Sequence, residues 1–381
     1  MSDNQQSKKK ILILGNSHLV VFRFRGELIE ELIRQDYDVW VCFPNGPFGE
    51  GQKTADEYGC HFIENHIDRR GKNPLKDLSL MKEYGVIIDQ IKPDAVLAYT
   101  VKPDVYGGMA CRRLKVPFIP NITGLGKGLA EGGMVQKLTV SLYKKAVKRA
   151  ECVFFQNESD MAFFDTHGIR YPHDELLPGS GVNLKKFVPL DYPGDDGKIR
   201  FIYVARVMKA KGIEQFFDAA HALRQKYPQT EFHICGYCEE DYKELLAGKE
   251  KSGEIIYHGL VEDVREYEKD CHCIVLPTFH PEGVSNVLLE GAACARPLIT
   301  TDRPGCRETV EDGVTGYLVR ERDSQDLIEK MEKFIQLSNA QRRQMGLAGR
   351  AKIEKEFDRQ IVVDAYMRVL NDENKSISSK N

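Results

Sequence analysis

Two carboxylates, Glu282 and Glu290, frame the segment Pro281-Glu282-Gly283-Val284-Ser285-Asn286-Val287-Leu288-Leu289-Glu290. Two cations, Arg206 and Lys211, stand well upstream in Val204-Ala205-Arg206-Val207-Met208-Lys209-Ala210-Lys211-Gly212. The spacing of the glutamates suits a loop that turns into a helix. Gly283 lets backbone approach a ligand closely, and the amides at a helix start can hold a phosphate. From Ser285 onward the run reads as helix, which puts Glu290 more than a turn in and leaves Glu282 at the mouth. The upstream stretch ends a buried strand with two cations able to neutralise a diphosphate. Together the four charges read as a nucleotide-sugar site.

Positioning such a site takes two domains, and 381 residues are enough for two cores. An apolar fraction of 42% with 9% aromatics is that of an ordinary globular chain. The net charge of −3 hides an asymmetry. Residues 1–189 carry 26 Lys and Arg against 23 Asp and Glu, and the remainder 28 against 34. A mildly basic first half fits an anionic acceptor or membrane surface, and nothing points to nucleic acid. No apolar run approaches the length of a membrane span, and the polar start lacks a signal-peptide core. The expected location is therefore cytoplasmic, including the inner face of the cell membrane. Ten cysteines in so long a chain do not make a disulfide framework. Cys235 and Cys238 with Cys271, His272 and Cys273 invite a zinc reading, but their spacing is loose and they border apolar strands, so no metal site is assigned.

The short apolar run Ile11–Leu14 ends at Gly15 and marks a parallel strand feeding a loop. Val39–Phe43, Ala95–Tyr99, Phe118–Ile119 and Cys152–Phe155 supply further strands, with helical patterns over 27–34, 75–91 and 135–149 between them. Turn formers crowd residues 188–197, the expected linker. The alternation restarts at Ile199, with strands at 201–205, 231–235, 255–258, 273–276, 297–300 and 316–318. The expected fold is α/β: two doubly wound, Rossmann-like domains facing each other across a cleft. They span 1–187 and 188–356, a C-terminal helix over 357–371 crosses back to complete the first, and 372–381 form a flexible tail.

The chain resembles the retaining glycosyltransferases of family 4, which have the GT-B fold. The resemblance runs from about Ile11 to about Leu370 and rests on five pieces of sequence. They are Ala205-Arg206 through Lys211-Gly212, the Gly181-Val182-Asn183 turn with Phe187, Glu282 through Glu290, Ala295-Arg296-Pro297, and Glu311-Asp312-Gly313 with Gly316. A narrower likeness, in Tyr99-Thr100-Val101-Lys102-Pro103 and Pro120-Asn121-Ile122-Thr123-Gly124-Leu125-Gly126, is to enzymes that extend undecaprenyl-diphosphate-linked sugars, N-acetylgalactosaminyl transferases among them.

The resemblance implies a UDP-sugar as co-substrate, no separate cofactor, and roles for named residues. Arg206 and Lys211 stabilise the departing diphosphate, Glu282 meets hydroxyls of the transferred sugar, and these three form the catalytic set. Glu290 holds the ribose hydroxyls. The amides of Gly283, Val284 and Ser285 and the side chain of Asn286 meet the phosphates. The base rests near Tyr237 and Val261, and Gly15 completes the donor contacts. On the acceptor side stand Asn16, Ser17, His18, Arg25, Lys102, Asn121, Thr123 and Gly124. Many family members carry a histidine on the 121–124 loop; here there is none, so no general base is named. Retention by front-face displacement needs none, since the leaving phosphate oxygen can take the acceptor's proton. The implied partner is a polyprenyl-diphosphate-linked saccharide. Lys127, Lys137, Lys144, Lys145, Lys148 and Arg149, interleaved with Leu129, Met134, Val135, Leu138 and Leu142, make a basic amphipathic segment suited to anionic lipid. Other readings stay open: a family 4 transferase with a soluble acceptor, a sugar-nucleotide epimerase, or a non-catalytic subunit that binds a nucleotide sugar.

Overall fold

The computed structural model describes residues 8–378 except 47, 48, 69, 70, 72 and 131, with backbone alone at 74, 127, 130 and 372–378. The chain divides into two compact units, 1–180 with 359–381, and 181–358. The boundary falls ahead of the expected linker. The Val182 amide donates to the Phe357 carbonyl (2.9 Å), and Phe187 packs in the core of the second unit.

Unit 1 holds seven parallel strands: β1 (Lys10–Leu14), β2 (Asp38–Phe43), β3 (His61–Glu64), β4 (Ala95–Tyr99), β5 (Phe118–Ile122), β6 (Val153–Phe155) and β7 (Asp174–Leu176), in the order β3-β2-β1-β4-β5-β6-β7. β4, and β1 from Ile11 on, are apolar throughout because both faces of the sheet are covered. Ile11 and Ile13 join one core cluster, while Leu12 and Leu14 join the other, as strand alternation requires. The edge strands β3 and β7, short and half exposed, have no apolar run to announce them.

Unit 2 holds six parallel strands: β8 (Ile199–Val204), β9 (Thr230–Cys235), β10 (Ile256–Gly259), β11 (Cys273–Leu276), β12 (Leu298–Thr301) and β13 (Gly316–Val319), in the order β10-β9-β8-β11-β12-β13. Cys235, Cys271 and Cys273 are core residues. Strand order reverses between β1 and β4 in unit 1 and between β8 and β11 in unit 2. Loops leaving those neighbouring strand ends diverge and open a crevice, where such sheets bind ligands. Among the described residues, no helix is long and apolar enough to cross a membrane.

The last helix, Arg359–Ser378, belongs to unit 1 and takes in residues 372–378 of the stretch expected to be a tail. Arg359 pairs with Glu27 at 2.8 Å. Val362, Val363, Tyr366, Met367 and Leu370 are buried in one of the two clusters flanking the unit 1 sheet. At about 1.5–3 kcal/mol per large side chain, their burial is worth on the order of 10 kcal/mol, as much as the stability of many whole domains. A chain ending at Asp358 is therefore expected to lose the protease resistance of residues 8–180 while 181–358 stays resistant. Equal resistance of the two segments would show that the helix is dispensable.

Candidate functional site

In unit 2 the loops after β8 and β11 lie on each other. Gly212 has φ +78, and a Cβ there would come within 2.0 Å of the Pro277 carbonyl oxygen, so only glycine permits the approach. The Phe279 amide (2.9 Å) and the Thr278 hydroxyl (3.2 Å) both donate to the Ala210 carbonyl. This locking brings the buried Lys211 ammonium into direct contact with the Glu282 carboxylate. Burial pushes Lys211 down to about 8. Arg206, part exposed beside it, pairs with Glu239, to which the Tyr237 hydroxyl also donates at 3.3 Å.

Glu282 and Gly283 rest on the loop after β12. Gly305 has φ +88, and a Cβ there would lie 2.7 Å from both their carbonyl oxygens. The Ser285 amide donates to the Gly305 carbonyl (2.8 Å), which corrects its expected use: that N–H is already taken. The helix then runs Asn286–Ala293 with no acidic residue in its first turn and no side-chain cap, so its opening amides suit an anion. Val284 is buried, and the Asn286 Oδ1 is buried without a partner among the described residues. Glu290 is buried one turn further in. The spacing of Glu282 and Glu290 thus separates a loop carboxylate from a helix carboxylate. Tyr237 stands exposed at the rim of a 490 Å³ pocket formed with Leu246, Tyr257 and Leu260, and Val261 packs partly buried against the unit core.

Two site residues escape sequence reasoning. Glu239 is one of an ordinary acidic pair after β9. Glu268 is buried on a short turn of helix, and neither carboxyl oxygen has a partner among the described residues. Burial, and next the nearby Glu290 carboxylate, push it up to about 8, so it is neutral at pH 7. Nothing in the local pattern distinguishes it from a surface glutamate.

In unit 1 the residues expected to meet the acceptor fall into two groups. Gly15, Asn16, Ser17 and His18 follow β1 and lead into a π-helical turn, Leu19–Arg23, a form found often at functional sites. The Gly15 amide continues the strand pairing to the Cys42 carbonyl (3.0 Å), and the Asn16 Oδ1 is buried without a partner among the described residues. Thr123 and Gly124 follow β5, Gly124 with φ +123. The second group is turned inward, against expectation. The Arg25 guanidinium is buried 4.5 Å from the centre of the Tyr99 ring and donates to the Phe24 carbonyl (2.8 Å). Lys102 donates to Asp77 (2.6 Å) and to the Gly71 carbonyl (2.9 Å). Asn121, fully buried, donates to the Tyr366 hydroxyl (2.9 Å) and accepts from Gln156 (3.2 Å). Thr100, directly after β4, adopts φ +77, a costly conformation for a β-branched residue.

On the expected membrane-facing segment, Leu129 is buried in the core, while Met134, Val135 and Leu138 are exposed at 86%, 50% and 59%. Lys137, Lys144, Lys145, Lys148 and Arg149 are exposed as well, and the side chain of Lys127 lies outside the described residues.

The Lys211–Glu282 contact yields a titration test. With Glu282→Gln the buried ammonium loses the anion against it, so Lys211 should titrate below its value of about 8. Carbon-13 lysine NMR on the variant reads this directly, and an unchanged titration would mean that the contact does not govern the charge of Lys211.

Comparison with known proteins places a family on each sheet. Residues 10–157 match the model described as Glycosyl transferase 4-like, and residues 198–336 that described as Glycosyl transferases group 1. The chain is 24% identical over 377 residues to the N,N'-diacetylbacillosaminyl-diphospho-undecaprenol alpha-1,3-N-acetylgalactosaminyltransferase of Campylobacter jejuni, covering 94% of this chain and 98% of that protein. It is 24% identical to the putative glycosyltransferase EpsD of Bacillus subtilis over 70% of this chain and 74% of that one. Among solved structures, Anabaena HepE in complex with UDP and glucose matches with a TM-score of 0.76 at 18% identity, covering 96% of this chain and all of that one. Sucrose-phosphate synthase from Thermosynechococcus elongatus matches with a TM-score of 0.77 at 18% identity, covering 97% of this chain and all of that one. With two doubly wound sheets, a glycosyltransferase model matching each, and glycosyltransferase relatives along its length, the chain belongs to the GT-B glycosyltransferases of the 4-like and group 1 families.

Proposed function

We propose that the protein is a retaining, metal-independent glycosyltransferase that moves a sugar from a UDP-sugar to a polyprenyl-diphosphate-linked saccharide in surface glycan biosynthesis. The observation that carries the reading is the buried Lys211 ammonium held against Glu282, with Arg206 beside it, at the strand-order reversal of unit 2. The likeness to the Campylobacter enzyme over nearly the whole length of both chains supports the lipid-linked acceptor.

In this reaction the bond between the anomeric carbon and the phosphate oxygen breaks, and charge collects on the departing diphosphate. Arg206 and Lys211 neutralise that charge. The acceptor hydroxyl forms the new bond on the same face and gives its proton to the leaving phosphate oxygen. Glu282, released from Lys211 as the diphosphate takes over the ammonium, turns to hydroxyls of the transferred sugar. Glu290 holds the ribose hydroxyls, a two-point task that suits a charged carboxylate, and a neutral Glu268 beneath it adds no competing anion. The exposed face with Lys137, Lys144 and Lys148 around Met134 and Leu138 is suited to contact an anionic membrane carrying the acceptor.

Product analysis by NMR is expected to show the donor's anomeric configuration preserved, with turnover undiminished after treatment with EDTA. Inversion, or an absolute need for a divalent cation, would sink the mechanism. Calorimetry separates the two carboxylates. Glu290→Ala should weaken UDP by about 1–3 kcal/mol, whereas Glu282→Ala, which removes the carboxylate competing with the diphosphate for Lys211, should not weaken UDP at a pH where Lys211 is charged, yet should lower kcat. Equal losses of UDP affinity would reverse the assignment.

The pH dependence follows from Lys211. Below about 8 it is charged and ready for phosphate; above, affinity for UDP should fall as the ammonium deprotonates. A bound diphosphate favours the charged form, so binding near pH 8 should take up protons from buffer. A flat affinity profile between pH 7 and about 9.5 would remove Lys211 from the phosphate contact.

A further inference from the structure

At the end of the unit 1 strands opposite the crevice, a second cavity of about 200 Å³ opens where β5 begins and the helix Gly108–Leu114 ends. Arg112, Lys115 and Arg149 rim it, and Cys111, Phe118 and Ala146 provide an apolar floor. Lys145 and Lys148 flank it on the neighbouring helix end and turn, both exposed. Among the described residues none of these five cations forms an ion pair, whereas many cations elsewhere in the chain do. The one carboxylate at the rim is Glu151.

Cations at helix C-termini have an ordinary explanation, since they complement the negative end of the helix dipole. Arg112 does this, donating to the Lys145 carbonyl at 3.2 Å. Two helix ends offer about half a charge each, so with Glu151 they leave a surplus of about three positive charges. The volume corresponds to roughly seven waters, enough for a phosphate with a short organic tail and too small for a nucleotide. Two guanidiniums and an ammonium lining one cavity match the tetrahedral oxygens of phosphate better than any neutral group.

We propose that this cavity is a phosphate-ester site, separate from the donor site of unit 2. The inference stands independently of the lipid-linked reading. The same chemistry is presented by the headgroup of an anionic lipid and by a soluble sugar or glycerol phosphate.

The full chain and an Arg112→Gln/Arg149→Gln variant are compared in thermal unfolding with glycerol 1-phosphate as probe. The wild-type Tm should rise with the ligand, and the variant should need at least about tenfold more for the same rise. Both should respond equally to UDP, and an Arg113→Gln control should behave as wild type. Sedimentation with phosphatidylglycerol and phosphatidylcholine vesicles then identifies the source. Loss of phosphatidylglycerol binding in the variant assigns a lipid headgroup. Retained vesicle binding alongside a lost response to glycerol 1-phosphate assigns a soluble ester. A wild type indifferent to glycerol 1-phosphate, a variant that responds as wild type does, or an equal rise with acetate at matched ionic strength overturns the proposal.

Discussion

The contact of Gly212 with the Pro277 carbonyl is the constraint on which the candidate site depends. Parallel sheets whose strand order reverses always leave two loops pointing apart, and an open crevice by itself positions nothing. Here the two loops are pressed together at their base by a left-handed glycine, and backbone and hydroxyl donors to Ala210 hold them there. Lys211 is buried as a result, with its ammonium against the Glu282 carboxylate. Breaking such a pair by deleting one partner costs about 3–5 kcal/mol, although the intact pair adds little to stability beyond its desolvation cost. A pair of that kind is better understood as a poised charge than as a strut. A diphosphate can replace Glu282 as the counter-ion without the ammonium ever standing alone.

Glu290 and Glu268 show the complementary device. Two carboxylates in one buried region cannot both ionise cheaply, and burial favours the protonated form of Glu268, whose oxygens have no partner among the described residues. The protonated Glu268 keeps the polar volume filled beside the helix carboxylate. Arg296 is buried close by. Its five hydrogen bonds all go to backbone carbonyls, those of Leu190, Asp191, Glu268, Lys269 and Cys294, and so it fastens the linker and the Glu268 turn to the strand that follows it. That arginine belonged to a matched motif in the sequence, yet only the structure shows that its task is to satisfy main chain.

Legibility in the sequence followed range. The central strands were readable because burial on both faces makes each an uninterrupted apolar run, and the four charges of unit 2 because they lie at fixed offsets from strand ends. Half-exposed β3 and β7 lacked that signature. Asn121 was readable as a loop residue but not as a buried one, because its partner Tyr366 is 245 positions away. Lys102 was likewise readable as a cation after a strand, while Asp77, which holds it, lies on another helix. The Ser285 amide misled for a third reason: backbone donors look alike in sequence, and only the approach of Gly305 shows which one is taken.

The last helix also bears on how the chain is made. Everything unit 2 needs lies between residues 181 and 358, whereas a core cluster of unit 1 is incomplete until residues 362–370 have been added. On the ribosome the second unit can therefore close first, while one of the two clusters flanking the unit 1 sheet still lacks the side chains of the last helix. Domains commonly fold in order from the N-terminus; in this chain the order of emergence and the order of completion are opposite.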